Sequence, residues 1–228
     1  FPVDKVGLHA VYVKDVHPYK QRKVRILNGS HTSLVPVAYL CGYDEVRQSL
    51  LDEKIRKFLE EEQQKEILPT LTAEGSEQFA KDVRKRFLNP YVHHALMSIA
   101  LNSLPKYKER DLPTVLDNLK AGRIPSHLIF AFAALLVFYR GYRIKDGVKE
   151  EINLPDDPKN LEFTKSIWAE YEADKDVKAL AHKFLSKEEL WGQDLSSIPA
   201  LEDEFEASLA LILSEKDRMS ALRKKFHE

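Results

Sequence analysis

Several things are scarce in this chain of 228 residues, and each scarcity removes a class of protein. A single cysteine, Cys41, excludes an internal disulfide and suits a reducing cytoplasm. No Cys/His spacing of a zinc site occurs, so no metal is expected. Charge of one sign is also missing: 35 Lys and Arg stand against 36 Asp and Glu, which leaves no overall field to draw nucleic acid or an anionic membrane. The longest apolar run, LIFAFAALLVFY at 128–139, falls short of the roughly 20 residues a membrane span needs and reads as a buried core helix. No G-x-G-x-x-G occurs, so the pyrophosphate-binding fingerprint of a dinucleotide fold is absent. The start, FPVDKVGLHAVYV, has neither an initiator Met nor a signal-peptide pattern, and Phe1 reads as a cut within a longer protein.

What is present fits one large domain or two small ones, with an ordinary balance of 43% hydrophobic and 31% charged residues. A strand is expected at VGLHAVYV, 6–13, and helices from about residue 20 onward. Apolar residues recur at helical spacing at Ile55, Phe58 and Leu59, at Phe79, Val83 and Phe87, at Leu96, Ile99 and Ala100, at Val115, Leu116 and Leu119, and at Phe205, Leu209 and Ile212. Prolines in LPT (68–70), NP (89–90), LPK (104–106), RIPS (123–126) and LPDDP (154–158) mark where helices start or stop. Asp111 before Pro113, and Pro125 with Ser126, read as helix starts. The polar stretch 146–160 reads as an exposed loop or hairpin, Trp168 and Trp191 as packing anchors, and KFLEEEQQKE (57–66) as a solvated helix face. Cys41 reads as an inert core thiol.

One block resists a purely structural reading. RKVRILNGSHTSLVPVAYLCG, 22–42, is helix-sized and apolar, yet packs Lys23, Asn28, Gly29, Ser30 and His31 closely together. On an α-helix Lys23, His31 and Asn28 fall at about 0°, 80° and 140° around the axis, so they can face one cavity, and Gly29 allows a close approach to the backbone. An amine, an amide and an imidazole around one pocket suit proton transfer at a hydroxyl or carbonyl. The same residue types also fit a solvated lysine, an Asn-Gly turn and a core histidine, so composition alone leaves both readings open.

The spacing K-x4-N-x2-H at Lys23, Asn28 and His31 resembles the signature of the mannitol dehydrogenase family, the polyol-specific long-chain dehydrogenases. The similarity continues through TSLVPVAYLCGYDEVRQSL, EILPTL and RFLNPYVHHALMSIALNSLPKYKERDLPTVL. It covers about residues 1 to 145 well and the remainder loosely. Within the family these segments look most like the branch acting on tagaturonate and altronate, rather than the mannitol or fructuronate branches. The resemblance implies a mainly α, multi-helical domain of the mannitol dehydrogenase and 6-phosphogluconate dehydrogenase C-terminal type, with a short N-terminal strand. It also implies a Rossmann domain outside this chain, and NAD bound mainly by that domain without a metal.

Carried over by the resemblance, Lys23 is the general acid/base, Asn28 polarises the reacting oxygen and His31 orients the substrate or the surroundings of the lysine. The mannitol-type pattern places an arginine where this chain has Ser98 and a lysine at Lys106. A uronate needs a cation for its carboxylate, and Lys106 and Arg110 are the candidates, with Asn102 and His94 as weaker polar neighbours. Each of these four also fits a solvated group at a helix end. His93 and His94 do not form a metal pair, because adjacent helical residues point about 100° apart. Other outcomes compatible with the sequence are reduction of fructuronate or fructose, and an inactive helical interaction module.

Overall fold

The computed structural model describes residue 7, residues 12–215 and residues 218–227. The strand expected over 6–13 lies almost wholly outside them; Tyr12 and Val13 are exposed. The rest is helical, apart from one hairpin, as the spacing predicts.

At the centre lies α9 (Ser126–Phe138), the expected core helix, in which residues 127–138 are all buried. It packs between α2 (Ser30–Leu40) and α13 (Pro199–Ser214). A helix apolar on every side must be surrounded, and aromatic rings supply much of the surround. Phe132 stacks on Tyr107 with centroids 4.3 Å apart and meets Phe184, Trp191 and Phe205 edge-on or tilted. Both tryptophans are the anchors expected: Trp168 Nε1 donates to the carbonyl of Leu136 (3.1 Å) and Trp191 Nε1 to that of Phe184 (2.7 Å).

The open N-terminal end of α9 is closed by an unexpected group. The Glu66 carboxylate accepts from the backbone N–H of His127 (2.8 Å) and of Leu128 (2.9 Å), and lies 2.6 Å from His127 Nδ1. Buried helix N-termini need such an acceptor, and negative charge there is favourable. The run 57–66 is therefore not a solvated face throughout. Glu61 is paired with Lys57 and Lys65 on the outside, whereas Glu62, Gln63 and Glu66 are buried. The reason is geometric: α4 (Glu53–Glu61) continues into a π-turn (Glu62–Ile67), and positions 62, 63 and 66 extend the inward stripe of Ile55, Phe58 and Leu59.

The stretch expected as loop or hairpin contains the second strand of a hairpin that begins earlier: β1 (Tyr142–Lys145) pairs antiparallel with β2 (Val148–Glu151). Asp146 and Gly147 both take positive φ, the conformation of a two-residue hairpin turn that Asp-Gly favours. Arg143 anchors this hairpin through Asp44 (2.6 Å), Glu150 and the carbonyls of Tyr39 and Tyr43. A loop follows, and α10 (Pro158–Asp174) starts with Asp157 as its cap and Pro158 in its first turn. Cys41 is half-buried at the end of α2, less enclosed than a core thiol. Among the described residues no helix is long and apolar enough to cross a membrane, and no group of three or more His, Cys, Asp or Glu is placed to hold a metal ion.

Candidate active site

Residues 17–40 form one continuous helical rod: α1 (His17–Arg22), a π-turn (Lys23–Gly29) and α2. The regular α-winding assumed for Lys23 and Asn28 therefore does not hold. A π-turn bonds i to i+5, which brings residues five apart closer in rotation than the 140° of an α-helix. Lys23 and Asn28 are five apart, and they stand at the two ends of the turn.

Lys23 is exposed, while Asn28 and His31 are half-buried. Asn28 Oδ1 and His31 Nε2 are each shut off from solvent with no hydrogen-bond partner among the described residues. Buried polar atoms are nearly always paired, so two unpaired ones a turn apart mark a place that a polar ligand can complete. The His31 ring stacks on Phe87 (4.1 Å between centroids) and meets His94 edge-on (5.2 Å). Burial lowers its pKa to about 4, helped by the positive fields of His94, Arg110 and Lys23. The imidazole is accordingly neutral near pH 7.

Arg110 ends α7 (Ser103–Arg110), and its Nη1 reaches Thr32 Oγ1 at 3.2 Å. The Thr32 hydroxyl in turn donates to the Asn28 carbonyl (2.9 Å), so Arg110 is tied to the far end of the π-turn. Arg110 and Asn28 line one cavity of about 440 Å³, together with His17, Lys20, Val24 and Pro113. Lys106 lies one turn earlier on α7, where its Nζ donates to the carbonyl of Ile99 (2.8 Å). Burial, then the neighbouring Arg110, moves the Lys106 pKa down, with Asp156 opposing. Among the described residues Lys23, Lys106 and Arg110 form no ion pair with a carboxylate. Lys23 and Arg110, neither held in an ion pair, both act on a neutral imidazole, an arrangement that suits an anionic ligand.

The structure thus groups Lys23, Asn28, His31, His94 and Arg110, with Lys106 joined through Arg110. Asn102 shares the i, i+4, i+8 spacing of Lys106 and Arg110 but is exposed; it has left-handed backbone (φ 52°), and its N–H donates to the carbonyl of Pro155 (2.8 Å). His93 points elsewhere, 3.3 Å from Glu45. Two contributors escaped the sequence reading. Thr32 carried a signal, being one helical turn after Asn28; Phe87 as the stacking partner of His31 carried none.

Residues 15–213 match the mannitol dehydrogenase C-terminal domain, and the chain belongs to that family. More particularly, it is 42% identical over 203 residues to the altronate oxidoreductase of Bacillus subtilis (strain 168), a match spanning 89% of this chain and 40% of the relative. It is 44% identical over 216 residues to the altronate oxidoreductase of Klebsiella pneumoniae (strain 342), spanning 93% and 44%. The chain therefore covers less than half the length of these relatives. Its fold matches the Pseudomonas fluorescens mannitol 2-dehydrogenase ternary complex with NAD and D-mannitol at a TM-score of 0.85, with 22% identity, over 100% of this chain and 44% of that one.

Proposed function

We propose that this chain is the catalytic and substrate-binding domain of an NAD-dependent, metal-independent oxidoreductase that interconverts tagaturonate and altronate in the cytoplasm. The cofactor would be held mainly by a Rossmann domain elsewhere in the full-length protein. The observation that supports this reading is that Lys23, Asn28 and His31, on and just after one π-turn, lie near Arg110, which is tied to that turn through Thr32. The names of the relatives support the substrate, and their greater length supports the second domain.

In this reading the substrate carboxylate lies against Arg110, with Lys106 behind it, and the reacting carbonyl lies between Lys23 and Asn28. NADH, when bound, supplies the hydride to the ketone carbon. The Lys23 ammonium gives a proton to the ketone oxygen as that oxygen becomes a hydroxyl, and takes it back in the oxidation direction. The Asn28 amide donates a hydrogen bond to the same oxygen and stabilises the charge that develops there. Neutral His31 can hydrogen-bond a substrate hydroxyl through Nε2, the atom left without a partner, while His94 holds its ring edge-on.

The test is NADH oxidation by the full-length protein offered tagaturonate, fructuronate and fructose in parallel. Preference for tagaturonate is the expected result. Turnover of fructose alone would overturn the carboxylate assignment, and no turnover of any would replace the enzyme reading with that of a helical interaction module.

A further inference from the structure

The layer beneath the site is acidic, and the reaction just described makes no use of it. Glu62 is 0% and Asp111 1% exposed. Glu62 accepts a hydrogen bond from Ser33 (2.9 Å), and its neighbour Gln63 donates to Ser30 (2.8 Å) while accepting from Arg84 (2.6 Å). The π-turn at Glu62–Ile67 thus grips the residues that follow the catalytic one. Asp111 approaches from the other side, at the link between α7 and α8 (Leu112–Lys120). It stands at the expected helix start, yet its carboxyl caps nothing there. Instead Oδ1 lies 2.6 Å from where a Cβ on Gly29 would be, with the Arg110 carbonyl at 3.7 Å. Only glycine leaves room for that approach.

Among the described residues neither carboxyl has a cation bonded to it, and Glu62 Oε2, Asp111 Oδ2 and Thr114 Oγ1 are buried without partners. The charged and titratable groups acting on the pair are Glu66, Tyr107 and Arg110. Burial, reinforced by Glu66 at Glu62 and by Glu62 at Asp111, pushes both carboxyls well above the ordinary range; the Arg110 field opposes this at Asp111 without reversing it.

We infer that Asp111, backed by Glu62, is a positioning residue of this site: its carboxyl is the seat of Gly29, and so fixes Asn28 relative to the guanidinium of Arg110. The inference rests on the functional reading above for its effect on turnover, and on geometry alone for its effect on stability.

The test compares Asp111→Ala with Asp111→Asn in the full-length protein, the second keeping the shape of a neutral carboxyl. Asp111→Ala removes the seat and lowers kcat/KM for the sugar acid by roughly 10²-fold, the cost of a small misplacement of reacting groups. Asp111→Asn restores most of that loss. With wild type, KM for the acid rises as pH is raised and Asp111 ionises to offset Arg110, whereas the Asn variant keeps it level. Melting curves give a readout independent of turnover. A carboxyl whose folded pKa is raised contributes stability that is complete below its unfolded pKa and is lost as pH rises towards the folded one. The melting temperature of Asp111→Asn therefore gains on that of wild type as pH rises above the ordinary carboxylate range. Two results overturn the inference: Asp111→Asn as damaging to KM as Asp111→Ala, or wild-type and Asn melting curves that run parallel across pH. An inactive full-length protein overturns the functional reading instead, and the melting curves still decide the role of Asp111.

Discussion

Helix α9 and the rod of residues 17–40 pack against each other, and they are built on opposite terms. Along α9 everything from 127 to 138 is buried, and its main polar demand, the open N-terminal end, is met by one side chain, Glu66. The rod also buries Ile26, Leu34, Val35 and Val37, but places Ser30, Thr32 and Ser33 among them, each hydrogen-bonded to a backbone carbonyl or to another polar side chain. Where packing alone decides, the winding stays regular. Where polar groups must be aimed, the winding opens into a π-turn and a glycine admits a carboxyl beneath it. The packed core and the polar groups of the candidate site are therefore concentrated on different helices, and substitutions should separate them.

The largest separation is expected at Lys23. Lys23→Ala in the full-length protein lowers kcat by about 10²–10⁴-fold, the usual weight of a general acid/base, with NADH binding and melting temperature nearly unchanged because the side chain is exposed. A variant that keeps its turnover would break the comparison at its centre. Phe132→Ala should do the reverse. It opens a cavity among Tyr107, Phe184, Trp191 and Phe205 and costs about 3–5 kcal/mol by denaturant titration, while the folded fraction retains its kcat. Next comes Arg110→Gln, which should raise KM for the sugar acid by about 10–100-fold, the weight of a charged hydrogen bond, and leave KM for fructose unaltered. Equal losses on both sugars would make Arg110 a structural residue.

The smallest effect concerns pH. His31 has a pKa lowered from 6.5 to about 4, so between those values the unfolded chain binds the more protons. Its contribution to stability is complete above 6.5 and is lost as pH falls towards 4. His31→Gln should flatten that part of the melting curve. The buried carboxyls slope the other way over the same window, so the difference between variant and wild type, not the absolute curve, is the measurement.

Much of this architecture was legible in the sequence, for reasons that differ by region. The apolar run 128–139 can only be a surrounded helix once it is too short for a membrane, and Pro158 and Asp157 announce the start of α10 through local chemistry. Glu62, Gln63 and Glu66 were misread because a run of charge suggests solvent. The corrective was in plain view, since they continue the spacing of Ile55, Phe58 and Leu59. The π-winding at Lys23–Gly29 was not legible, because residue types there fit an ordinary α-helix and only the tertiary setting supplies the distortion. For the candidate site, the K-x4-N-x2-H spacing located the turn. The Arg110–Thr32 link and the Asp111 seat join positions about 80 residues apart and leave no local trace.

The opened turn at Lys23–Gly29 has a consequence best put as a count of residues. It is an α-helix with one residue to spare, taken up within a single turn. Deleting one residue there would let the rod close into regular winding while both flanks kept their places against α9 and its neighbours. The product would be a well-packed helix in which Lys23 and Asn28 no longer align. Sequence edits chosen for helix regularity alone would therefore dismantle the candidate site without disturbing the fold, and chain length between the lysine and the histidine is itself part of that arrangement.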